Sequence, residues 1–319
     1  MTTATATLGT LEALRPRPSF LTRWGRTAQR KPLGAVAMGV VLVFVITAVF
    51  ADLDWMMGPL GLRNVREAQG RVGIAPYDPV AQHYDHVMQP PSAKFWLGTD
   101  NFGRDMLSRL IHGARISLIV GITTVAIGAV IGGFLGISTA FFEGKYDLLM
   151  QRVIDAWMAF PGIIIALSIL AALGPGMVNV IIAIGLGNVP VMTRVVRGAT
   201  LSQKQNVFVE AARSIGCGGR RIMVRHLLPN VAAPMIIISS LEMGAAIISE
   251  ASLSFLGVGV PPPNPSWGGM LSGHHRTYML AAPWMAIFPG LAITIAVLGW
   301  NLLGDATRDL WDPRLRGSR

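Results

Sequence analysis

Charged side chains are scarce in this 319-residue chain, 14% against 52% hydrophobic, so the few that interrupt its apolar stretches are where chemistry is to be sought. Asp155, Glu242 and Glu250 fall inside long apolar runs. An ionisable group in lipid is costly, which makes each a candidate for handling an ion or a polar substrate. Asp155 has Arg152 one turn away, which suits a structural ion pair. Glu242, near the middle of its run, and Glu250, in "SEASLSFLG", are candidates for lining a translocation path, where a carboxylate meets an amine or a cation. Packing against a partner helix is the alternative for both. His83, Asp85, His86, His274 and His275 are metal-ligand types without a recognised ligand spacing; they are read as solvated loop residues, and no metal site is expected. The single cysteine, Cys217, excludes an intramolecular disulfide. No G-x-x-x-x-G-K-[ST] phosphate loop, G-x-S-x-G elbow or H-E-x-x-H pair occurs, so neither a nucleotide site nor a hydrolytic centre is expected in this chain.

A basic stretch stands between long apolar runs: "NVFVEAARSIGCGGRRIMVRHLLPN", residues 206 to 230. Asn206 is a good helix N-cap, and Glu210 suits the first turns, where the helix dipole favours negative charge. Glu210 and Arg213 are spaced as a helical i,i+3 pair. Ala211 and Ala212 leave a low-relief face. Gly216 suits a left-handed helix end, and Gly218 and Gly219 permit a sharp turn into a second short helix, about 219–227, that leads to Pro229. A compact helical hairpin with a basic rim results.

Six apolar runs of span length must position these groups: 33–53, 116–142, 148–173, 177–196, 231–257 and 284–304. They are too long and continuous for barrel strands, so the fold class is an all-α membrane protein. Glycine is frequent in the second and fourth runs, which predicts close helix packing. Pro161 and Pro190 are expected to kink the third and fourth. The first run is span-length rather than a short signal core, so no cleaved signal is expected. With 27 Lys+Arg against 17 Asp+Glu, the net charge of +10 reads as basic residues flanking spans, not as a nucleic-acid surface. Arg15, Arg17, Arg23, Arg26, Arg30 and Lys31 precede the first span. Arg194, Arg197, Lys204, Arg213, Arg220, Arg221 and Arg225 follow the fourth, and Arg308, Arg314, Arg316 and Arg319 end the chain. Six spans put all of these on one side, so both termini and the hairpin are expected in the cytoplasm.

The expected organisation is a cytoplasmic arm at 1–32 with an interfacial helix in "SFLTRWGRTAQRK", a first span at 33–53 and an external loop at 54–115. A core of five spans follows at 116–304 with the hairpin at 206–228, then a cytoplasmic tail at 305–319. Within 97–118, Thr99 or Asp100 is expected to cap an amphipathic helix carrying an Asp105–Arg109 pair. Asp100, Arg104 and Asp105 are candidates for an outer gate or a contact with an external protein; a structural elbow is the alternative. The proline-rich run 261–265 is expected to be an extended outer loop.

"EAARSIG", followed after nine residues by "HLLP", resembles the coupling pattern EAA-x3-G-x9-I-x-L-P of ABC importer permeases. Glu210, Ala211, Ala212, Gly216, Leu228 and Pro229 match it, and His226 stands where Ile is usual. "LGTDNFGRDMLSRLIHGARISL", "FLGVGVPPPNPSWGGML" and "FPGLAITIAVLGWNLLGDATRDLWDPRLR" resemble the dipeptide, oligopeptide and nickel branch, in particular the second permease of the pair. The resemblance covers essentially residues 19–316, with 55–90 least typical. It implies a type I importer permease in a bacterial or archaeal inner membrane, paired with a second homologous permease. Two cytoplasmic ATPase subunits would bind ATP and Mg and receive the hairpin in a groove, and an extracellular or periplasmic binding protein would deliver the cargo. This chain would bind no cofactor and would contact membrane lipid. The implied cargo is a dipeptide or oligopeptide, with nickel or another small solute as the alternative. A stand-alone secondary transporter would instead show internal repeats or broken helices with coupled charges. A polytopic membrane enzyme would need a convergent nucleophile or metal cluster.

Overall fold

The computed structural model describes residues 32–51, 73–273 and 277–311, and among them it is all helical, with one isolated bridge, Thr99 to Asp105, and no strand. The chain runs through α1 (Pro32–Phe50), α2 (Met106–Phe142), α3 (Gly144–Met158), α4 (Gly162–Leu173), α5 (Met177–Lys204), α6 (Val207–Ser214), α7 (Gly219–Phe255), α8 (Trp267–Met270) and α9 (Trp284–Trp311). Five of these, α1, α2, α5, α7 and α9, are long and apolar enough to cross a membrane; α3 and α4 make a sixth only if taken together. The interfacial helix expected before α1, the last residues of the tail and the pair His274–His275 lie outside the described residues.

The third apolar run departs most from expectation. It is broken, not kinked: α3 and α4 meet at 85° across Ala159–Pro161. Pro161 is extended, with ψ 130°, and lacks an N–H to continue the ladder from α3. α3 also carries Lys145, Asp147, Arg152 and Asp155, and only Ile154 is buried along its length. Elsewhere proline is absorbed. Pro190, Pro234 and Pro289 sit inside continuous helices, and Pro229 follows a π-helical stretch, Ile222–Leu227. The wider turn eases the clash between the Pro229 ring and the carbonyl four residues earlier. The second arm of the hairpin and the fifth span are therefore one helix. α2 likewise starts ten residues before the expected 116.

Glycine lets α2 and α5 approach. Gly128, Gly132 and Gly136 recur every four residues and face Asn188, Val189, Met192 and Thr193 of α5. A Cβ on Gly136 would stand 2.7 Å from the Thr193 carbonyl oxygen and 2.9 Å from the Arg197 nitrogen, and a backbone cannot yield as a side-chain end can. α7 packs on α2, α5 and α9, and α1 packs on α2 and α9.

On one end of the bundle, residues 261–264 of the proline-rich loop after α7 are exposed, and the chain turns inward only from Pro265. α8 is buried: Trp267 packs against Phe44, rings tilted at 45° with centroids 5.6 Å apart, and donates its indole N–H to the Leu110 carbonyl at 2.9 Å. Gly113 leaves the room, since a Cβ there would meet the indole at 2.6 Å. At the same end, residues 95–105 form a bonded turn. Asp100 accepts from the Phe102 and Arg104 amides and from Arg104 Nε at 2.6 Å, with Arg109 Nε 3.6 Å away. Trp284 donates to the Thr99 carbonyl at 3.1 Å.

Gly136→Ala separates packing from helix propensity. Alanine gains about 1 kcal/mol over glycine inside a helix, whereas overpacking costs about 1–3 kcal/mol. Thermal unfolding in detergent should show a lower midpoint for Gly136→Ala and an unchanged or higher one for Gly187→Ala, whose Cβ would meet nothing within 4 Å.

Candidate functional site

Isolated helices of fewer than about 12 residues are marginal in water, so the eight-residue α6 must be held by what it touches. Val209 and Ala212 point into a cluster with Ile137 of α2, Met192 and Val196 of α5, and Ile222, Leu227 and Val231 of α7. Leu227 and Val231 are fully buried. The opposite face of α6, with Val207, Glu210, Ala211, Ser214 and Ile215, is exposed, Val207 and Ile215 each to 79%. The two alanines thus part company: Ala211 belongs to the outer face and Ala212 to the core, which corrects the shared flat face expected from sequence. The spacing i, i+3, i+4 of helical faces forces that split.

Asn206 occupies the N-cap position, but its amide reaches Gln203 Oε1 at 2.9 Å instead of capping α6. The other end closes as expected. Gly216 has φ +79°, its N–H reaches the Arg213 carbonyl at 2.9 Å, and the Cys217 N–H reaches the Ala212 carbonyl at 3.0 Å. This pair of bonds is the Schellman arrangement. Glu210 and Arg213 form no ion pair among the described residues; Arg213 lies over the Phe141 ring, 5.8 Å from its centroid. Lys204 lies over the same ring at 5.7 Å, and Gly219 abuts its edge closely enough that a Cβ would fall 2.9 Å from it. Phe141 is therefore the point on which α2, the end of α5 and both arms of the hairpin converge.

Lys204 also donates to the Ala140 and Phe141 carbonyls, at 3.2 and 2.8 Å, and pairs with Glu143 at 2.8 Å. A cation at a helix C-terminus satisfies carbonyls that have no partner within the helix. Arg197 grips Asp147 with two bonds, 2.7 and 2.6 Å, and Arg194 reaches Asp155 at 2.6 Å. Sequence reasoning treated these basic residues only as markers of sidedness. The i,i+8 spacing of Asp147 and Asp155 on α3, set against Arg194 and Arg197, was the available signal. The expected Arg152–Asp155 pair is present at 3.6 Å, and Arg194 is the nearer partner.

Leu228 is 37% exposed and Pro229 is exposed, while Leu227, at an unspecified position of the sequence pattern, fills the core with Ile222. The His226 carbonyl accepts from Asn230 at 2.6 Å.

The remaining candidates lie apart from the hairpin. Glu250 is fully buried: Oε1 accepts from Ser254 at 2.7 Å, and neither Oε2 nor the buried Ser117 hydroxyl has a partner among the described residues. Glu242 is half-buried, eight residues or about 12 Å back along α7. Asp100, Arg104 and Asp105 are at most 7% exposed and sit inside the 95–105 turn. The cap of α2 is Asp105, which accepts from the Ser108 amide at 2.8 Å, not Thr99 or Asp100, and no Asp105–Arg109 side-chain pair forms. The helix starts after Asp105 because the preceding residues are engaged by Asp100. His83 and His86 pack on Phe95, and among the described residues no three metal-ligand side chains gather.

The family model described as "Binding-protein-dependent transport system inner membrane component" matches residues 128–317. Curated relatives include the Glutathione transport system permease protein GsiD of Escherichia coli O6:K15:H31, 42% identical over 92% of this chain and 90% of that protein. The protein of the same name from Shigella dysenteriae serotype 1 is 41% identical over the same shares. Among solved structures, a chain of the MetNI methionine ABC transporter in inward-facing conformations matches with TM-score 0.53 and 18% identity, over 65% of this chain and 98% of that chain. That likeness is one of fold.

At Gly216 an added Cβ would meet nothing within 4 Å, so substitution costs backbone conformation alone. A β-branched residue held at positive φ is strained by about 1–3 kcal/mol. Gly216→Val should hasten tryptic cleavage at Arg213 and Arg220 severalfold while leaving the thermal midpoint of the bundle unchanged.

Proposed function

Since this chain belongs to the binding-protein-dependent transport system inner membrane component family, and is the permease of an ABC importer without an ATPase of its own, we propose that it carries short peptides and takes its drive through α6. It is a multi-pass membrane protein that works with an ATPase and a substrate-binding protein. A peptide cargo is supported by the names of the relatives, since glutathione is a tripeptide. The partner permease is proposed to be a second, homologous chain, with the two together enclosing the path. ATP and Mg are proposed to bind only the ATPase subunits. The weight of Arg194, Arg197, Lys204, Arg213, Arg220, Arg221 and Arg225 around the hairpin supports its placement in the cytoplasm, with both termini on that side.

The observation that carries the coupling proposal is the two-sided character of α6. One face is fixed to the ends of α2, α5 and α7; the other exposes Val207, Glu210, Ala211, Ser214 and Ile215. Two exposed aliphatic side chains flanking a small-residue strip fit a groove lined for close approach. A push on that face reaches three spans at once, because the hairpin and the span ends share one core. Of the two span carboxylates, Glu242 is the one not sealed inside the chain, and it is proposed to face the path.

Ala211→Trp leaves the core side of α6 untouched and should lower co-purification of the ATPase subunits about tenfold or more, as loss of a central interface contact does. Glu210→Arg should act in the same direction. Glu242→Gln should keep assembly and change substrate-stimulated ATP hydrolysis. Full assembly by both α6 variants would reduce the hairpin to a topological loop.

A further inference from the structure

Two cavities meet at Arg220. One, of about 620 Å³, is walled by the first turns of α7: Gly218, Gly219, Arg220, Arg221, Val224 and Arg225. The other, of about 690 Å³, continues between α2 and α7, walled by Val130, Phe134, Ile137, Val224 and Met235, and shares Arg220 and Val224 with the first. The basic pocket opens without any residue of α6, so it is separate from the face proposed to meet the ATPase.

The three arginines are exposed, and none has an acidic partner among the described residues. Their neighbours at this end of the bundle differ: Arg194, Arg197 and Lys204 are each paired with a carboxylate. The groove is apolar apart from Arg220, and its walls face outward, with Val130 72%, Phe134 67% and Val224 58% exposed. From Phe142, at the end of α2, to Val130 is about 18 Å of helix, a little more than half of a hydrocarbon core about 30 Å thick. Phe142, 60% exposed, and Tyr146, 39% exposed, lie at the same end, and exposed aromatic side chains are common where helices meet headgroups. A cluster of unpaired cations at the head of a one-leaflet-deep apolar groove has the chemistry of one ligand class.

We propose that this groove seats an anionic phospholipid, with its phosphate held by Arg220, Arg221 and Arg225 and an acyl chain lying along Val130, Phe134 and Val224 of the α2–α7 groove. Basic pockets between helices near a membrane face attract such headgroups, at a gain of about fivefold in binding per cation near the surface. The proposal requires only that the hairpin lie at a membrane face, and does not depend on the coupling role of α6.

The test is native mass spectrometry of the full-length chain in detergent, with phosphatidylglycerol and phosphatidylcholine supplied in equal amounts. The wild type should retain phosphatidylglycerol about tenfold or more over phosphatidylcholine. Combining Arg220→Gln, Arg221→Gln and Arg225→Gln should bring the ratio near unity. Val130→Trp, which fills the groove and spares the arginines, should lower occupancy severalfold. Excess inorganic phosphate should leave the bound lipid in place, and so should assembly with the ATPase subunits. No preference in the wild type, a preference surviving the triple change, or no effect of Val130→Trp would each overturn the proposal. So would displacement by phosphate, which would mean a simple anion patch, or displacement by the ATPase, which would mean a protein interface.

Discussion

An eight-residue helix has no stability of its own to spare, and α6 exists because Val209 and Ala212 are buried with Ile222, Leu227 and Val231. That one apolar contact sets the character of this whole end of the bundle. It makes the hairpin part of the bundle instead of an appendage. It also divides the "EAA" motif, with Ala212 buried in the core and Glu210 and Ala211 left exposed. Phe141 then gathers Lys204, Arg213 and Gly219 around one ring, so the ends of α2 and α5 and both hairpin arms share a single hub. Charged residues reinforce it from the side through Arg197–Asp147 and Lys204–Glu143.

The opposite end is built differently. There the backbone leaves the helices and turns inward, and the polar groups this exposes are met by buried side chains. Trp267 bonds the Leu110 carbonyl, Trp284 the Thr99 carbonyl, and Asp100 the amides of its own turn. Each satisfied group removes a penalty that apolar surroundings would otherwise impose. Asp100, Arg104 and Asp105 thereby act as the frame of the turn that launches α2. Glu250 sits closer to this end of α7 than Glu242 does, and its burial with Ser254 ties α7 to the loop that carries α8, since the Val260 amide also reaches the Ser254 hydroxyl at 3.3 Å.

The spans were legible because a run of about 20 apolar residues has few alternatives in lipid. The Gly216 turn was legible because glycine tolerates positive φ and the flanking pattern required a helix end. Proline was not legible. Pro161 breaks its run, whereas Pro190, Pro229, Pro234 and Pro289 are carried inside helices. The residue is the same, and the outcome rests on neighbours: packing around α5 and α7, a π-helical turn before Pro229, and a charged α3 before Pro161. The Asp105 cap was hidden by Asp100, an equally good capping type five residues earlier whose carboxylate is engaged by Arg104. The ion pairs between α3 and α5 were hidden because their partners lie 39 and 50 residues apart.

The central claim is that the hairpin and the ends of α2, α5 and α7 move as one body, so that force applied to α6 arrives at the spans undiminished. Spin labels at Ser214 on α6 and Ser202 on α5, in a Cys217→Ser background of the assembled transporter, measure this directly through their separation with and without ATP. The account predicts one narrow distance distribution that does not shift between nucleotide states. A separation that changes or broadens when ATP binds would mean that α6 slides on the bundle, and would contradict rigid coupling.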